Sequence, residues 1–135
     1  MALADPLLVC RELLLSDPVV SPLVNGAVYA TPDLPQGHTY PCIRLTHITT
    51  TDHAPVAFRH SAAATVQLDV WADTMPSLME IAEGSLDALH GVSPNDGANY
   101  IRPISEGHSL DESVQPPMYR YRADLEVRVV REPIT

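Results

Sequence analysis

The chain has 135 residues, of which 45% are hydrophobic and 19% are charged; this balance is typical of a globular protein and excludes general disorder. At this length we expect one domain over residues 1–135. The formal net charge is −9, and all eight cationic residues are arginines, which disfavours a surface that grips DNA or RNA, because such surfaces need basic patches to displace counterions from phosphates.

Two helices are expected at the start of the chain. Asp5-Pro6 pairs a capping side chain with a proline at the first helical position, and it predicts a helix over Pro6 to Ser16. Asp17-Pro18 repeats this signal before a shorter helix, which Asn25-Gly26 would end. Cys10 lies in the first apolar segment, where a thiol usually serves as a small buried hydrophobe.

The next region predicts a pair of strands. Val28 and Tyr29 are a possible short strand, and Thr31 to Pro41 is rich in proline and predicts a loop. Cys42 to Thr49 and Ala64 to Ala72 both alternate apolar with polar residues, as half-buried strands do. Between these strands, Thr50 to Ser61 is too long for a tight turn and is either an extended hairpin arm or a mobile loop.

The second half of the chain predicts one helix and two strands. Thr74 to His90 carries an apolar stripe at helical spacing, with acidic residues on the opposite side. Tyr100 to Ser105 is a weaker strand, since Pro103 lacks an amide hydrogen and suits an edge or a bulge. Glu106 to Pro117 is polar and predicts a loop, and Met118 to Arg131 alternates clearly and predicts the last strand.

This order of elements predicts an α+β fold. We expect an antiparallel or mixed sheet of about four to five strands, with two to three helices packed on one face. The charged face of the sheet would then meet water or a partner. Cys42 begins a buried strand, so a disulfide with Cys10 is not expected.

Residue patterns for catalysis or for a cofactor are missing from the sequence. Its histidines show neither the spacing nor the cysteine partners of a metal site, and they are His38, His47, His53, His60, His90 and His108. Asp52-His53 and His60 could form a general-base pair, but adjacent residues of an extended chain point apart. We expect no catalytic residues, no metal and no cofactor.

Two features are candidate interaction surfaces. Arg120, Arg122 and Arg128 form a row on one face of the last strand, where they could pair with an identical neighbour or stay solvated. Trp71, the only tryptophan, falls on the polar face of its strand. It is either an aromatic anchor for a partner or a ring packed under a loop or a helix end.

Several segments resemble a known family when they are taken in chain order. They are the helix that starts at Asp5, the segment Leu23 to Tyr29, the strand Tyr40 to Leu45, the strand Val66 to Trp71 that runs into a helix, and the terminal strand from Tyr119. In this order they are similar to the tail-terminator, or tail-completion, proteins of long-tailed bacteriophages.

This resemblance implies a structural virion protein and not an enzyme. Family members form a ring, usually a hexamer, that caps the tail tube, ends its polymerisation and joins it to the connector of the head. The implied partners are the chain itself, the tail tube protein and a neck protein, and DNA would pass through the ring without specific binding. The implied location is the virion tail, after assembly in the host cytoplasm. The first residues lack the basic region of a signal peptide. No apolar run reaches the length of about 20 residues that is needed to span a membrane.

The contact residues follow from position alone. The loops Thr50 to Ser61 and Glu106 to Pro117 are candidates for contacts with the tube or with other subunits. The candidate interface residues are Asp52, His53, Arg59, His60, Trp71, Arg120, Arg122 and Arg128.

Other functions stay open at this point. A neck or head-completion adaptor could share this size, acidity and fold, and would bind the portal side. A small enzyme would need a deep pocket with converging polar groups. A ligand-binding α+β domain would be a monomer with an apolar cavity.

Overall fold

A computed structural model describes residues 6–56, 59–93 and 98–131, with side chains described over 7–48, 64–90 and 101–127. The helices are α1 (Pro6–Ser16), α2 (Val20–Val24) and α3 (Met75–Leu89). The strands are β1 (Val28–Tyr29), β2 (Cys42–Val56), β3 (Arg59–Ala72), β4 (Gly91–Ser93), β5 (Ala98–Asp111) and β6 (Met118–Arg131).

The strands form one mixed sheet in the order β1-β2-β3-β6-β5-β4. β1 runs parallel to β2, and every other neighbouring pair is antiparallel. This arrangement confirms the predicted α+β fold class. The short strand β4 was not predicted, because its three residues carry too little sequence pattern to separate them from the end of α3.

The core lies between the sheet and the helices. Alternate residues of β3, among them Val66 and Leu68, are fully buried against Leu14 of α1 and Leu78 of α3. Both cysteines are free and buried, as expected, and burial raises the pKa of the Cys42 thiol to about 12. The apolar positions of the predicted strands and helices therefore meet in one layer.

The end of α2 and the start of α3 follow the predicted capping residues, Asn25 and Thr74. The predicted start of α2 at Asp17-Pro18 is wrong, because the helix begins at Val20 and its N-cap residue, Val19, has no capping side chain. Asp17 Oδ1 accepts hydrogen bonds from the amides of Val19 and Val20 at 2.9 and 3.0 Å, ahead of α2. Asn25 ends α2 in the left-handed conformation, at φ 51°. The Thr74 hydroxyl accepts a hydrogen bond from the Ser77 amide at 3.3 Å and caps α3. These caps fill backbone donors and acceptors that a helix leaves open at its ends.

Three strands, β2, β3 and β5, are longer than the sequence predicts. β2 and β3 continue beyond Thr50 and before Ser61, so this segment is the extended hairpin arm and not a mobile loop. The prediction of a loop over Glu106 to Pro117 is wrong in its first half, because β5 continues to Asp111. Pairing with β6 satisfies the backbone there, and an edge strand can keep its polar side chains in water.

The predicted irregularity at Pro103 is confirmed. The register of β5 against β6 shifts between Pro103 and Ser105, which is a β-bulge. Within the ranges that the structure covers, no helix is both long enough and apolar enough to cross a membrane.

Candidate functional site

The face of the sheet opposite the helices is built around Asp69. In the register of the sheet, Asp69 of β3 lies directly between Arg44 of β2 and Arg122 of β6. Residues two apart on a strand share a face, so Arg120 and Gln67 lie on this side as well. The strand pairing therefore brings together side chains that are up to 53 residues apart in sequence.

Asp69 is fully buried and is held by four side chains, which we call the Asp69 cluster with it: Arg44, Gln67, Arg120 and Arg122. Its Oδ2 accepts hydrogen bonds from Arg44 Nη2 and Gln67 Nε2, both at 2.9 Å. Its Oδ1 accepts from Arg120 Nε and Nη2 at 3.1 and 2.9 Å, and from Arg122 Nε at 3.2 Å. A buried carboxylate is costly unless it is paired and hydrogen-bonded in this way.

The cluster keeps Asp69 ionised. Burial by itself would raise the pKa of the Asp69 carboxyl. The hydrogen bonds from Arg44 and Gln67, and the charge and hydrogen bond of Arg120, outweigh burial, so the pKa of Asp69 lies below its ordinary value of 3.8. Three arginines around one carboxylate leave a local excess of positive charge.

Trp71 is packed inside this face. Its side chain is only 3% exposed, and the guanidinium carbons of Arg44 and Arg120 lie 5.1 and 4.9 Å from its ring centre. Its indole Nε1 donates to Asp111 Oδ2 at 2.9 Å. Of the two predicted roles for Trp71, the structure shows packing, so the ring is not an exposed anchor in the single chain.

A loop covers part of the same face. Arg44 Nη1 donates to the backbone oxygen of Pro32 at 3.1 Å, and Leu34 and Tyr40 pack against the core residues. The segment between β1 and β2 therefore closes over Arg44, while Arg122 at the other side of Asp69 stays 52% exposed.

The other predicted interface residues lie away from the cluster. Asp52 and His53 fall near the end of β2, and Arg59 and His60 begin β3, so all four belong to the hairpin arm. Arg128 pairs with Tyr100 further along β6. The side chains of these five residues lie outside the described part of the structure. Trp71, Arg120 and Arg122 are the predicted residues that the fold brings together.

The sequence analysis missed the residues at the centre of this face. Asp69 and Arg44 were recognised only as polar positions of alternating strands, and Asp111 was placed in a loop. A signal was present, because an aspartate in the middle of an apolar strand needs cationic partners on its neighbours. To identify these partners from the signal, the register between three strands must be known, and the pattern within a single strand does not give that register.

Two concave regions flank β5. On the Asp69 side there is a cavity of about 410 Å³, lined by Ser105, Glu106, Gly107, His108, Ser109, Arg120, Arg122 and Asp124. On the helix side a groove of about 340 Å³ is lined mainly by residues of α3 and β5. Across the described residues, no three His, Cys, Asp or Glu side chains are arranged to hold a metal ion. The lining of the cavity carries both signs of charge, with Arg120 and Arg122 balanced by Glu106 and Asp124.

Comparisons with known proteins point to one family. Residues 10–130 match the family described as "Tail completion protein gp17". In fold, the chain is similar to a chain from the virion of a native gene transfer agent particle, with a TM-score of 0.67 and 19% identity, over 93% of this chain and 94% of that one. A comparison with curated proteins finds no match.

The stability of the fold should depend on Asp69 far more than on Arg122. Asp69→Asn keeps the shape but removes the charge that three arginines surround, and we expect the free energy of unfolding to fall by about 3 kcal/mol. Arg122→Ala removes a half-exposed partner and should cost about 0–1 kcal/mol. Urea unfolding followed by the fluorescence of Trp71 measures both; equal losses for the two variants would contradict the central role of Asp69.

The cluster also predicts a pH dependence. Because the pKa of Asp69 is lower in the folded chain than in the unfolded chain, ionised Asp69 stabilises the fold above the ordinary value of 3.8. That contribution should be lost as the pH falls below this value and through the lower folded pKa. The measurement is the difference in unfolding free energy between wild type and Asp69→Asn across acid pH; a difference that stays constant would rule out this linkage.

Proposed function

The chain belongs to the tail completion protein gp17 family, and from this membership we propose that it forms a ring that caps the tail tube of a bacteriophage. As a member of this family it is a structural component of the virion tail and not an enzyme. The match over residues 10–130 carries the proposal, because it includes every strand of the sheet except the last residue of β6.

The proposed ring is a hexamer formed by one domain, residues 1–135, from each subunit. It ends polymerisation of the tube and provides the surface that joins the head. Its partners are other copies of the chain, the tail tube protein and the connector or neck protein. A contact between two different surfaces of identical subunits, repeated from one subunit to the next, forms a closed ring when the rotations between neighbours add up to a full turn.

The charge of the chain supports passage of DNA through such a ring without adhesion. The net charge is −9, and the outer side of α3 carries exposed Glu80, Glu83 and Asp87. On the opposite face, Asp69 takes up much of the charge of Arg44 and Arg120. Asp69 thus reduces, without cancelling, the positive charge of its three arginines, and the net negative charge of the chain limits the retention of a polyanion.

The hairpin arm is the proposed contact with the tube or with neighbouring subunits. β2 and β3 continue to Val56 and Arg59, and the arm carries Asp52, His53, Arg59 and His60. β6 pairs with β3 as far as His60, so only the tip of the arm beyond this residue is two-stranded. A two-stranded tip gains stability when a partner covers it.

The function is tested with purified protein and tail tubes. Light scattering on a sizing column gives the mass, and negative-stain images show the shape, with the protein alone and mixed with tubes. We expect rings that cap one end of each tube and stop its growth. A monomer that leaves the tubes uncapped would reject the proposal, and binding of that monomer to a head connector would assign it to the neck adaptors.

The arm is tested by shortening it. His53 and Ser61 pair directly, so replacing residues 54–60 by Asn-Gly should close the same strands with a two-residue turn. We expect this variant to keep wild-type circular dichroism and to lose capping. In a control variant, seven glycine and serine residues replace residues 54–60. This variant keeps the length of the arm and changes its side chains, so it separates the effect of arm length from that of side-chain identity. Normal capping by both variants would exclude the arm tip as a contact.

A further inference from the structure

β5 has an open edge along most of its length. On the side of β5 away from β6, β4 pairs with β5 only between Ala98 and Ile101. No other strand among the described residues lies on that side. The nine consecutive residues from Arg102 to Leu110 are exposed. After the bulge at Pro103, the register from Ser105 to Asp111 is regular. Such an edge presents unpaired backbone donors and acceptors that another strand can fill.

β2 has a second open edge on the opposite side of the sheet. β1 pairs with β2 only at Ile43 and Arg44, and the rest of this edge meets no strand in the described ranges. A register shift lies between His47 and Thr49, and the pairing with β3 is then regular from Thr49 to His53. Each side of the sheet thus ends in a regular, open stretch next to a bulge.

Exposed apolar side chains gather at these two edges. The described chain exposes five large hydrophobic side chains. Ile48 is 53% exposed and sits at the bulge of β2, while Ile104 and Leu110 are 55% and 49% exposed on β5. Monomeric proteins usually protect an edge with charges or keep it short, so an open edge with exposed apolar residues indicates a partner.

The directions of the strands fit one partner, which is a second copy of the chain. β5 runs antiparallel to β2, because three antiparallel pairings separate them. When copies stand side by side in one orientation, β5 of one copy therefore meets β2 of the next as an antiparallel pair. We propose that subunits of the ring join by pairing Ser105–Asp111 of β5 with Thr49–His53 of β2 in the neighbour.

This inference rests on the proposed ring and names the contact that builds it. The two stretches lie at opposite ends of the sheet, so neighbouring sheets are displaced along their strands, as in barrels with tilted strands. The contact is heterologous, and it leaves one edge of each kind open until the ring closes. Closure then leaves neither of the two pairing stretches without a partner, which limits growth to a fixed number of copies.

Cross-linking tests the pairing and its direction. In the antiparallel pair, Leu110 lies next to Ile48 of the neighbour, whereas Ile104 lies about 20 Å further along at about 3.4 Å per residue. The variant Ile48→Cys with Leu110→Cys, treated with a short bis-maleimide, should give a ladder of covalent oligomers. Ile48→Cys with Ile104→Cys should give none, nor should Leu110→Cys with Val19→Cys, which places the second thiol beside the helices. Wild type is the control for the buried Cys10 and Cys42.

Each outcome decides the inference. A ladder from the first pair alone supports it. Dimers from Leu110→Cys by itself would show that β5 pairs with β5 of a second copy about a two-fold axis, and would overturn the inference. Ladders of equal strength from all cysteine pairs would also overturn it. So would the absence of a ladder from every pair, both with and without tail tubes. Capping of tubes is scored separately. Caps without the ladder reject the edge pairing and keep the proposed function. A ladder without caps supports the edge pairing and rejects the proposed function.

A second measurement does not depend on cross-linking. Leu110→Lys places a charge in the proposed seam and should abolish assembly on a sizing column. Val19→Lys is the matched control, because Val19 is 58% exposed and lies outside both edges, and it should assemble as wild type does. Loss of assembly in Val19→Lys with normal assembly in Leu110→Lys would place the contact on the helix layer instead.

Discussion

The buried carboxylate of Asp69 constrains the rest of the sheet. It needs Arg44 from β2 and Arg120 and Arg122 from β6 at the same time, so it fixes the register of three strands at one point. A slip of one residue in either neighbour would turn the arginines to the helix side and leave a charge buried without a partner. Two of these arginines, Arg44 and Arg120, also contact the ring of Trp71, which donates a hydrogen bond to Asp111 at the end of β5. The position of the outer strand is therefore linked to the central ion cluster.

Much of the fold follows from local sequence patterns, and the centre of the site does not. The bounds of α1, the cap of α3 at Thr74 and the bulge at Pro103 are set by neighbouring residues, and patterns over a few residues predict them. The continuation of β5 to Asp111 depends on β6 as a partner, which polar composition does not reveal. The Asp69 cluster depends on the register between strands far apart in sequence. Sequence patterns named Arg120 and Arg122 as a row, but they could not supply the aspartate that gathers them.

The centre of the sheet and its outer edges differ in how far their backbone hydrogen-bonding groups are paired with neighbouring strands. The centre, at β3 and β6, is closed on both sides by strands and holds its charge with five hydrogen bonds to Asp69. The long outer strands β2 and β5 have one full-length neighbour each, and among the described residues their outer edges are covered only by the two-residue β1 and the three-residue β4. A rigid centre with open edges fits the proposed ring, in which each subunit would keep its shape while it adds to identical copies.

Pairing at the edges would leave both faces of the sheet free, and the two faces differ in charge. The helix layer carries Glu80, Glu83 and Asp87 on its outer side. On the other face, Arg102 pairs with Glu126, and Asp69 is shared by three arginines. Without these carboxylates, the arginines on that face would attract phosphates more strongly. In the ring that we propose, burying Asp69 would have a functional counterpart, because the same carboxylate that fixes the register also reduces the positive charge that this face offers to a polyanion.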